Sequence, residues 1–348
     1  MPSDRLLVDR IGAQATRGHL MRDPNEDPYA LFDGAILRRL TSTLESKRVR
    51  MLYNVGVERL VVAENGAIVG VEARSFGERL LVRARRGVVL TTGGFIYNDE
   101  MLAAYNPGVL AATKLGHGGQ DGLGIQMAQA LGADVMHMDA ADATLFMFPP
   151  ISFARGVLFN RRGQRYINED GYYGRTGAET LKQPNADAFL LLDEDIYVES
   201  ALRRPAYAAE TLTELEEEVG LPPGSLSQTV EYYNQHAAVG EDPLFHKQAE
   251  FLKPITPPYA VLDLCNATSD RYLTYQLPVS GCLFAFTLGG LRTDAYGAVL
   301  DASAQPVLGL FAAGRATAGL AVGGYCSGIS LGDCTFFGRR AGQSAGQR

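Results

Sequence analysis

Apolar positions along this chain change their period several times, and each change marks an element. Between Tyr29 and Lys47, Leu31, Ala35, Leu40 and Leu44 recur at about helical spacing, which predicts a helix. Three short runs follow, Val55 to Val62, Ala67 to Ala73 and Leu80 to Ala84, separated by Asn65-Gly66 and Phe76-Gly77-Glu78. Strand-length runs joined by such turns predict an antiparallel meander. Gly87-Val88-Val89-Leu90 differs, because it is continuously apolar and enters Thr91-Thr92-Gly93-Gly94-Phe95 directly. That is the pattern of a buried parallel strand whose C-terminal end faces a ligand crevice. A glycine-rich loop, Gly116 to Gly124, then opens a helix from Ile125 to Leu131 with Asp121 as its N-cap. The character changes at Phe146-Met147-Phe148-Pro149-Pro150, where a domain boundary is placed. Beyond it the pattern predicts a strand from Ala188 to Leu192 and helices around Thr211 to Val219 and Leu226 to His236. The acidic run Glu214 to Glu218 reads as a solvated helix face. Pro254, Pro257 and Pro258 mark the return, and Phe284 to Asp294 re-enters a strand.

The densest chemistry lies near the C-terminus. An apolar run from Val307 to Ala313 leads into Gly314-Arg315-Ala316-Thr317-Ala318-Gly319, then Gly323-Gly324-Tyr325-Cys326-Ser327-Gly328-Ile329-Ser330-Leu331-Gly332-Asp333. This reads as strand, glycine-rich loop and helix. Glycine lets backbone N–H groups approach a ligand, and a helix N-terminus favours an anion. A tight strand-to-helix connection with no ligand is the alternative reading of the same glycines.

Bulk properties narrow the function. A net charge of -7 over 348 residues, with no basic run interleaved with aromatics, argues against a nucleic-acid partner. The charged start Met1 to Arg10 has no signal-peptide core, and nowhere do apolar residues run long enough to span a bilayer, so a cytoplasmic protein is expected. Cys265, Cys282, Cys326 and Cys334 are scattered, without Cys-x-x-Cys pairs or neighbouring histidines, which predicts reduced thiols and no metal site. His117 has no partner in sequence that would make it a base, and a structural or solvated role is the simpler reading.

Thr91-Thr92-Gly93-Gly94-Phe95, Gln120-Asp121-Gly122-Leu123-Gly124, Gly163-Gln164-Arg165-Tyr166-Ile167-Asn168-Glu169, Phe286 to Leu291 and Ala312 to Asp333 occur in the order seen in FAD-binding flavoproteins of the fumarate reductase and 3-ketosteroid dehydrogenase superfamily. The chain resembles that superfamily along most of its length. The resemblance implies an α/β fold with a discontinuous, Rossmann-like FAD-binding domain (residues 1–145 and 276–348) and an inserted α+β cap domain for substrate (residues 146–275). It implies FAD as cofactor, held by Val57, Thr92, Gly93, Gly94, Asp121, Gly122, Gly314, Arg315, Gly328, Ser330 and Leu331, with the Leu331 N–H and the following helix facing flavin N1 and O2. The family's first strand and Gly-x-Gly-x-x-Gly turn are not found, since Gly122-Leu123-Gly124-Ile125-Gln126-Met127 fails at the third glycine. A chain lacking the first nucleotide-binding unit is therefore expected, and with it weak FAD occupancy unless that unit is restored.

Fumarate reductases of the superfamily carry a histidine near Phe286 and an arginine acid where this chain has Tyr173. A dicarboxylate needs cationic clamps, whereas Phe286 and Tyr173 offer an apolar wall and a neutral hydroxyl. Gly324-Tyr325-Cys326-Ser327-Gly328-Ile329-Ser330-Leu331-Gly332-Asp333 resembles instead the 3-ketosteroid delta-4 (5-alpha) dehydrogenases. Their catalytic roles carry over to Tyr173, Tyr325 and Ser327, for which packing and helix capping are the alternatives. The implied chemistry is removal of a proton alpha to a ketone with hydride transfer to flavin N5, electrons passing on to an acceptor not named by the sequence. Holding a tyrosine as an anion at neutral pH would cost about 4 kcal/mol, so shared hydrogen bonds are favoured over a standing tyrosinate. A flavin-dependent ene-reductase of fumarate-reductase type, or an inactive fragment or a subunit needing a partner that supplies the nucleotide-binding piece, are the other readings.

Overall fold

A computed structural model describes residues 35–147, 150–198, 204–265, 282–322, 324–326 and 328–347. The fold mixes helices and sheets throughout. It opens with helix α1 (Ala35–Ser46), strands β1 (Gly56–Val62), β2 (Ile68–Ser75), β3 (Glu78–Arg83) and β4 (Val88–Leu90), then α2 (Asp99–Tyr105), β5 (Thr113–Lys114), α3 (Leu123–Gln129), β6 (Val135–Met136) and β7 (Ala141–Leu145). The middle holds β8 (Val157–Phe159), α4 (Tyr173–Thr180), β9 (Phe189–Asp193), β10 (Tyr207–Ala209), α5 (Leu212–Val219), α6 (Ser225–Ala237) and β11 (Tyr259–Asp263). It closes with β12 (Leu283–Thr287), β13 (Gly290–Leu291), β14 (Ala298–Leu300), β15 (Pro306–Ala312) and α7 (Ile329–Gly346). Two compact units result. Of the described residues, one comprises Pro107–Leu115 and Asp142–Phe286, the other 35–106, Gly116–Ala141 and Thr287 onward.

In the second of these units β4 and β15 run parallel, Val89 opposite Phe311 and Leu90 opposite Ala312, with β14 antiparallel on the far side of β15. Helix α7 covers this sheet through Ala341 and Ala345, which pack with Ala298, Phe311 and Ala313. Small residues on both faces let helix and sheet approach closely. A Cβ at Gly297 would come within 2.6 Å of the Ala341 methyl. The meander β1-β2-β3 forms as expected, with Gly66 at φ 81° and the pair Phe76 and Gly77 at φ 48° and 89° making the tight turns.

Two details differ from the sequence reading. Helix α3 starts at Leu123, and its N-cap is Gly122 at φ 76°, with Asp121 one position earlier accepting the Leu123 N–H at 3.0 Å. A left-handed cap excludes a β-carbon, and one at Gly122 would also crowd Phe95 Cβ at 2.8 Å. The strand expected from Phe284 to Asp294 breaks at Leu288-Gly289, where a Cβ would run into the His137 carbonyl.

The other unit is built on an antiparallel sheet, β10-β11-β9-β8, whose strand β9 is buried over its whole length. A second sheet, β5-β12-β7, carries the side of the unit on which α4 lies. The acidic run on α5 is not wholly solvated. Glu216 is 3% exposed and accepts the N–H groups of Gly224 and Ser227 at 2.6 and 2.7 Å, capping α6 from outside. Gly224, the N-cap of α6, has no side chain to do this, so the carboxylate from α5 satisfies those donors. Glu214 closes a capping box with Thr211.

Candidate functional site

Parallel strands β4 and β15 end side by side, so their C-terminal loops, Thr91 to Gly94 and Ala313 to Thr317, leave the sheet at the same edge. Gly93 has φ 79°, and a Cβ there would press on Gln120 Cγ at 2.8 Å. A Cβ at Gly94 would strike the Thr287 hydroxyl, which accepts the Phe95 N–H at 3.0 Å. Thr92 lies against Gly124 on α3. The Gln120 side chain is pinned between Gly93 and Gly116, and its Oε1 is buried without a hydrogen-bond donor. An orphaned acceptor between two glycine loops is a place for a ligand donor. Val57 is half-buried on β1, opposite Ala73, on the strand that packs against α3.

The second loop leads to α7. Gly314 has φ 67°, with the Cys334 sulfur 3.1 Å from where its Cβ would be, and the Thr317 hydroxyl donates to the Gly314 carbonyl at 2.7 Å. Arg315, Thr317, Gly319, Leu320, Ala321, Ile329, Ser330, Asp333 and Leu288 line a shallow, open cleft at the start of the helix. Burial lowers the pKa of Arg315 below its ordinary value, and the charges it feels from Cys334 and Tyr325 oppose this. Burial raises Asp333 above the usual carboxylate range. Gly328, at φ 91°, is the N-cap of α7. The Leu331 N–H expected to face a flavin instead donates back to the Gly328 carbonyl at 3.1 Å, because the first turn is tightened. Tyr325 is half-buried just before the helix, and Ser327 lies outside the described residues.

Tyr173 belongs to the other unit, as the first residue of α4. It is 8% exposed, its ring 4.3 Å from that of Tyr172 and 5.5 Å from Phe146, which in turn stands 5.5 Å from Phe284. Ala285 and Phe286 are buried. Two groups here escaped the sequence reading. Asp142 is buried in β7 with its carboxyl pushed up to about 6 by burial, the Thr144 hydroxyl opposing the shift. Its signal was a lone carboxylate inside Ala141-Asp142-Ala143-Thr144-Leu145. Gln120 gave no such signal. His117 is exposed and its Nδ1 accepts the Gly119 N–H at 3.1 Å, a local turn.

A family profile for the FAD binding domain matches residues 4–331. The chain belongs to this FAD-binding family. Among FAD-binding relatives it is similar to the crystal structure of 3-ketosteroid-delta4-(5alpha)-dehydrogenase from Rhodococcus jostii RHA1 in complex with 4-androstene-3,17-dione. The two share 44% identity and a TM-score of 0.82, over 98% of this chain and 69% of that one. The 4-oxocyclohexanecarboxylate 2-dehydrogenase of Sinomonas cyclohexanicum is 31% identical over 89% of this chain and 61% of its own. A fumarate reductase (cytochrome) of Shewanella frigidimarina is 24% identical over 90% of this chain and 53% of its own. The chain spans between 34% and 61% of the length of these and other curated relatives. The superfamily expected from the motif order is the one found.

FAD is the cofactor that membership brings, and the residues fit it. The orphaned Gln120 acceptor, the glycine cradle at Gly93 and Gly94, the half-buried guanidinium of Arg315 and the N-terminus of α7 at Gly328 together suit a molecule with hydroxyl donors and an anionic, electron-accepting end.

Proposed function

We propose that the protein is an FAD-dependent oxidoreductase that removes two hydrogens from adjacent carbons of a 3-ketosteroid or a similarly flat, apolar ketone. What supports this most is the aromatic wall of the unit built on β7, α4 and β12: Tyr173, Phe146, Phe284 and Phe286 carry rings where a dicarboxylate would need cations. The likeness to the Rhodococcus dehydrogenase points the same way.

Bound FAD supplies the hydride acceptor. The protein's part is to take the other hydrogen as a proton. Tyr173, Tyr325 and Ser327 are the groups carried over for that step: as neutral hydroxyls they relay the alpha proton, each accepting a proton only as it passes its own on toward solvent. Thr92, Gly93, Gly94, Asp121, Gly122, Gly314, Arg315, Gly328, Ser330 and Leu331 hold the cofactor, with Val57 behind the glycine turns. Residues 1–145 and 276–348 form the cofactor domain in this reading, and 146–275 the substrate cap.

The test supplies FAD-loaded protein with a 3-ketosteroid and a dye acceptor, and separately with fumarate and a reduced dye. Dye reduction with the steroid is expected. Fumarate reduction without steroid oxidation would favour the ene-reductase reading and refute this one.

A further inference from the structure

Strand β11 ends at Asp263 and β12 begins at Leu283, and a cysteine stands just beyond each of these ends, Cys265 and Cys282. Their spacing in sequence carries no signal, since neither a Cys-x-x-Cys pair nor a neighbouring histidine accompanies them. Both side chains are thiols in this structure. The fold brings the two backbones together, because the Cys282 N–H donates to the Leu264 carbonyl at 2.5 Å. A carbonyl oxygen lies about 2.8 Å from the Cα that follows it across a trans peptide, and a backbone nitrogen about 1.46 Å from its own Cα. Laid end to end through that hydrogen bond, these spans keep the Cα atoms of Cys265 and Cys282 within about 6.8 Å, and the bond angles along the way bring them closer. Disulfides use Cα separations of about 4.4–6.8 Å.

The side chains share the same small region. Cys265 Sγ donates to the Ala186 carbonyl at 3.0 Å and its backbone N–H to Asp263 Oδ1 at 3.1 Å, which fixes its place at the end of β11. Cys282 is 2% exposed, and its carbonyl accepts the Phe146 N–H at 3.0 Å. Burial and the Asp263 carboxylate push the Cys265 thiol up, and Cys282 adds to that rise, an effect that needs the two sulfurs near each other. A solitary buried cysteine serves as a small apolar filler. Two within bonding range, where the chain leaves the sheet β10-β11-β9-β8 and enters the sheet β5-β12-β7, can join those sheets covalently, which two alanines cannot.

We propose that Cys265 and Cys282 form a reversible disulfide, a modification site that fastens the end of β11 to the start of β12. The oxidant is a low-molecular-weight disulfide such as oxidised glutathione. Half-buried Cys265 is the sulfur that such a molecule reaches first. Its thiol gives a proton to solvent and attacks one glutathione sulfur, the glutathione S–S bond breaks, and one glutathione thiolate leaves. Cys282 then loses its proton and attacks the Cys265 sulfur, the mixed disulfide breaks, and the second glutathione leaves. Two cysteine sulfurs together give up two electrons, and one glutathione disulfide becomes two thiols. Because the Phe146 N–H rests on the Cys282 carbonyl, the bond also anchors the backbone that carries Phe146 between Tyr173 and Phe284.

The experiment equilibrates the FAD-loaded protein with mixtures of reduced and oxidised glutathione and quenches it in acid. The chain is then unfolded, its remaining thiols are blocked with N-ethylmaleimide, and intact mass and peptides are read. At the oxidising end the peptides holding Cys265 and Cys282 should appear joined to each other with neither sulfur alkylated, and dithiothreitol should separate them. The midpoint should come at a glutathione mixture at least about tenfold more reducing for the folded protein than for the same chain in urea, because the fold holds the sulfurs in reach. Cys282→Ala should stop at one glutathione on Cys265, whereas Cys265→Ala should leave buried Cys282 without glutathione, which fixes the order of attack. If Cys282→Ala does not fold, the parent and Cys265→Ala still decide the matter. Full alkylation of both sulfurs at the oxidising end, or a mixed disulfide that persists on Cys265 in the parent, would overturn the proposal. So would a bond from either to Cys326 or Cys334, or a pair that links only in urea.

Discussion

Replacing Glu169 with glutamine removes one charge from the most heavily buried ionic cluster in the described chain. Glu169 is 0% exposed, and its carboxylate accepts the Leu158 N–H at 2.8 Å, Arg165 Nε and Nη2 at 2.9 Å each, and pairs with Lys247 Nζ at 3.1 Å. Arg165 also holds Asp242 through two contacts at 3.0 Å and lies over the rings of Tyr233 and Phe245. Burial alone would raise the Glu169 pKa, and the Lys247 and Arg165 charges overcome it and hold the group below the usual carboxylate range. Glutamine preserves the volume but leaves Lys247 and one arm of Arg165 uncompensated in the core. Breaking such a buried pair costs about 3–5 kcal/mol. At about 2–4 °C per kcal/mol for a unit of this size, melting should fall by about 6–20 °C. Far-UV circular dichroism during thermal and urea unfolding, at one fixed FAD concentration, measures this and shows whether the two units unfold apart. The pH dependence has a definite sign. Because the folded pKa is depressed, the stabilisation is full above the unfolded value of about 4.3 and is lost as pH falls through the folded one. The gap between parent and Glu169→Gln should therefore shrink in acid. A variant within about 1 kcal/mol of the parent at neutral pH, or a gap that ignores acidification, would refute the account.

Three further outcomes are expected. Tyr325→Phe should leave FAD affinity nearly intact and lower 3-ketosteroid turnover at least about tenfold, whereas Cys326→Ala should do far less; steady-state kinetics on the pair decides the proton-transfer role. Glu216→Ala should cost about 2 kcal/mol in urea unfolding by leaving the Gly224 and Ser227 N–H groups without an acceptor. Thr287→Val, nearly isosteric, should cost about 1–3 kcal/mol because the buried Phe95 N–H loses its partner, and FAD titration should show weaker binding as the Thr91 to Phe95 turn loosens.

Where the sequence was legible, local chemistry carried the message. The meander, the continuous strand Val88 to Leu90 before its Thr-Gly-Gly turn, and the buried strand Phe189 to Asp193 all announce themselves by period and by turn residues, and they form within two residues of the expected bounds. Glycines at 93, 94 and 314 were readable as close approaches, and the structure supplies what they approach. What escaped depends on partners distant in sequence. Glu216 looks like part of a charged surface until the bare glycine N-cap of α6 is set beside it. Asp121 looks like a cap because acids favour that role, but the left-handed turn at Gly122 takes the position. The family resemblance implied that the Leu331 N–H faces the flavin, yet the tightened first turn returns that donor to the Gly328 carbonyl. Gln120 and Asp142 are unremarkable letters whose meaning comes entirely from burial.

The parallel pairing of β4 with β15 joins Val88–Leu90 to residues more than two hundred positions later. Closing so long a loop is slow, and domains tend to fold as units in the order in which they leave the ribosome. The run from Asp142 to Phe286, whose four-stranded sheet β10-β11-β9-β8 joins segments near in sequence, is thus synthesised in full before β15 exists. During that interval β4 waits with the edge meant for β15 unpaired, and a chain interrupted after residue 286 would lack β13, β14, β15 and α7 of the unit that β4 belongs to. The glycine turn at the end of β4 acquires its neighbouring loop only once Ala313 to Thr317 have been made, so cofactor capture waits on a segment more than two hundred residues downstream.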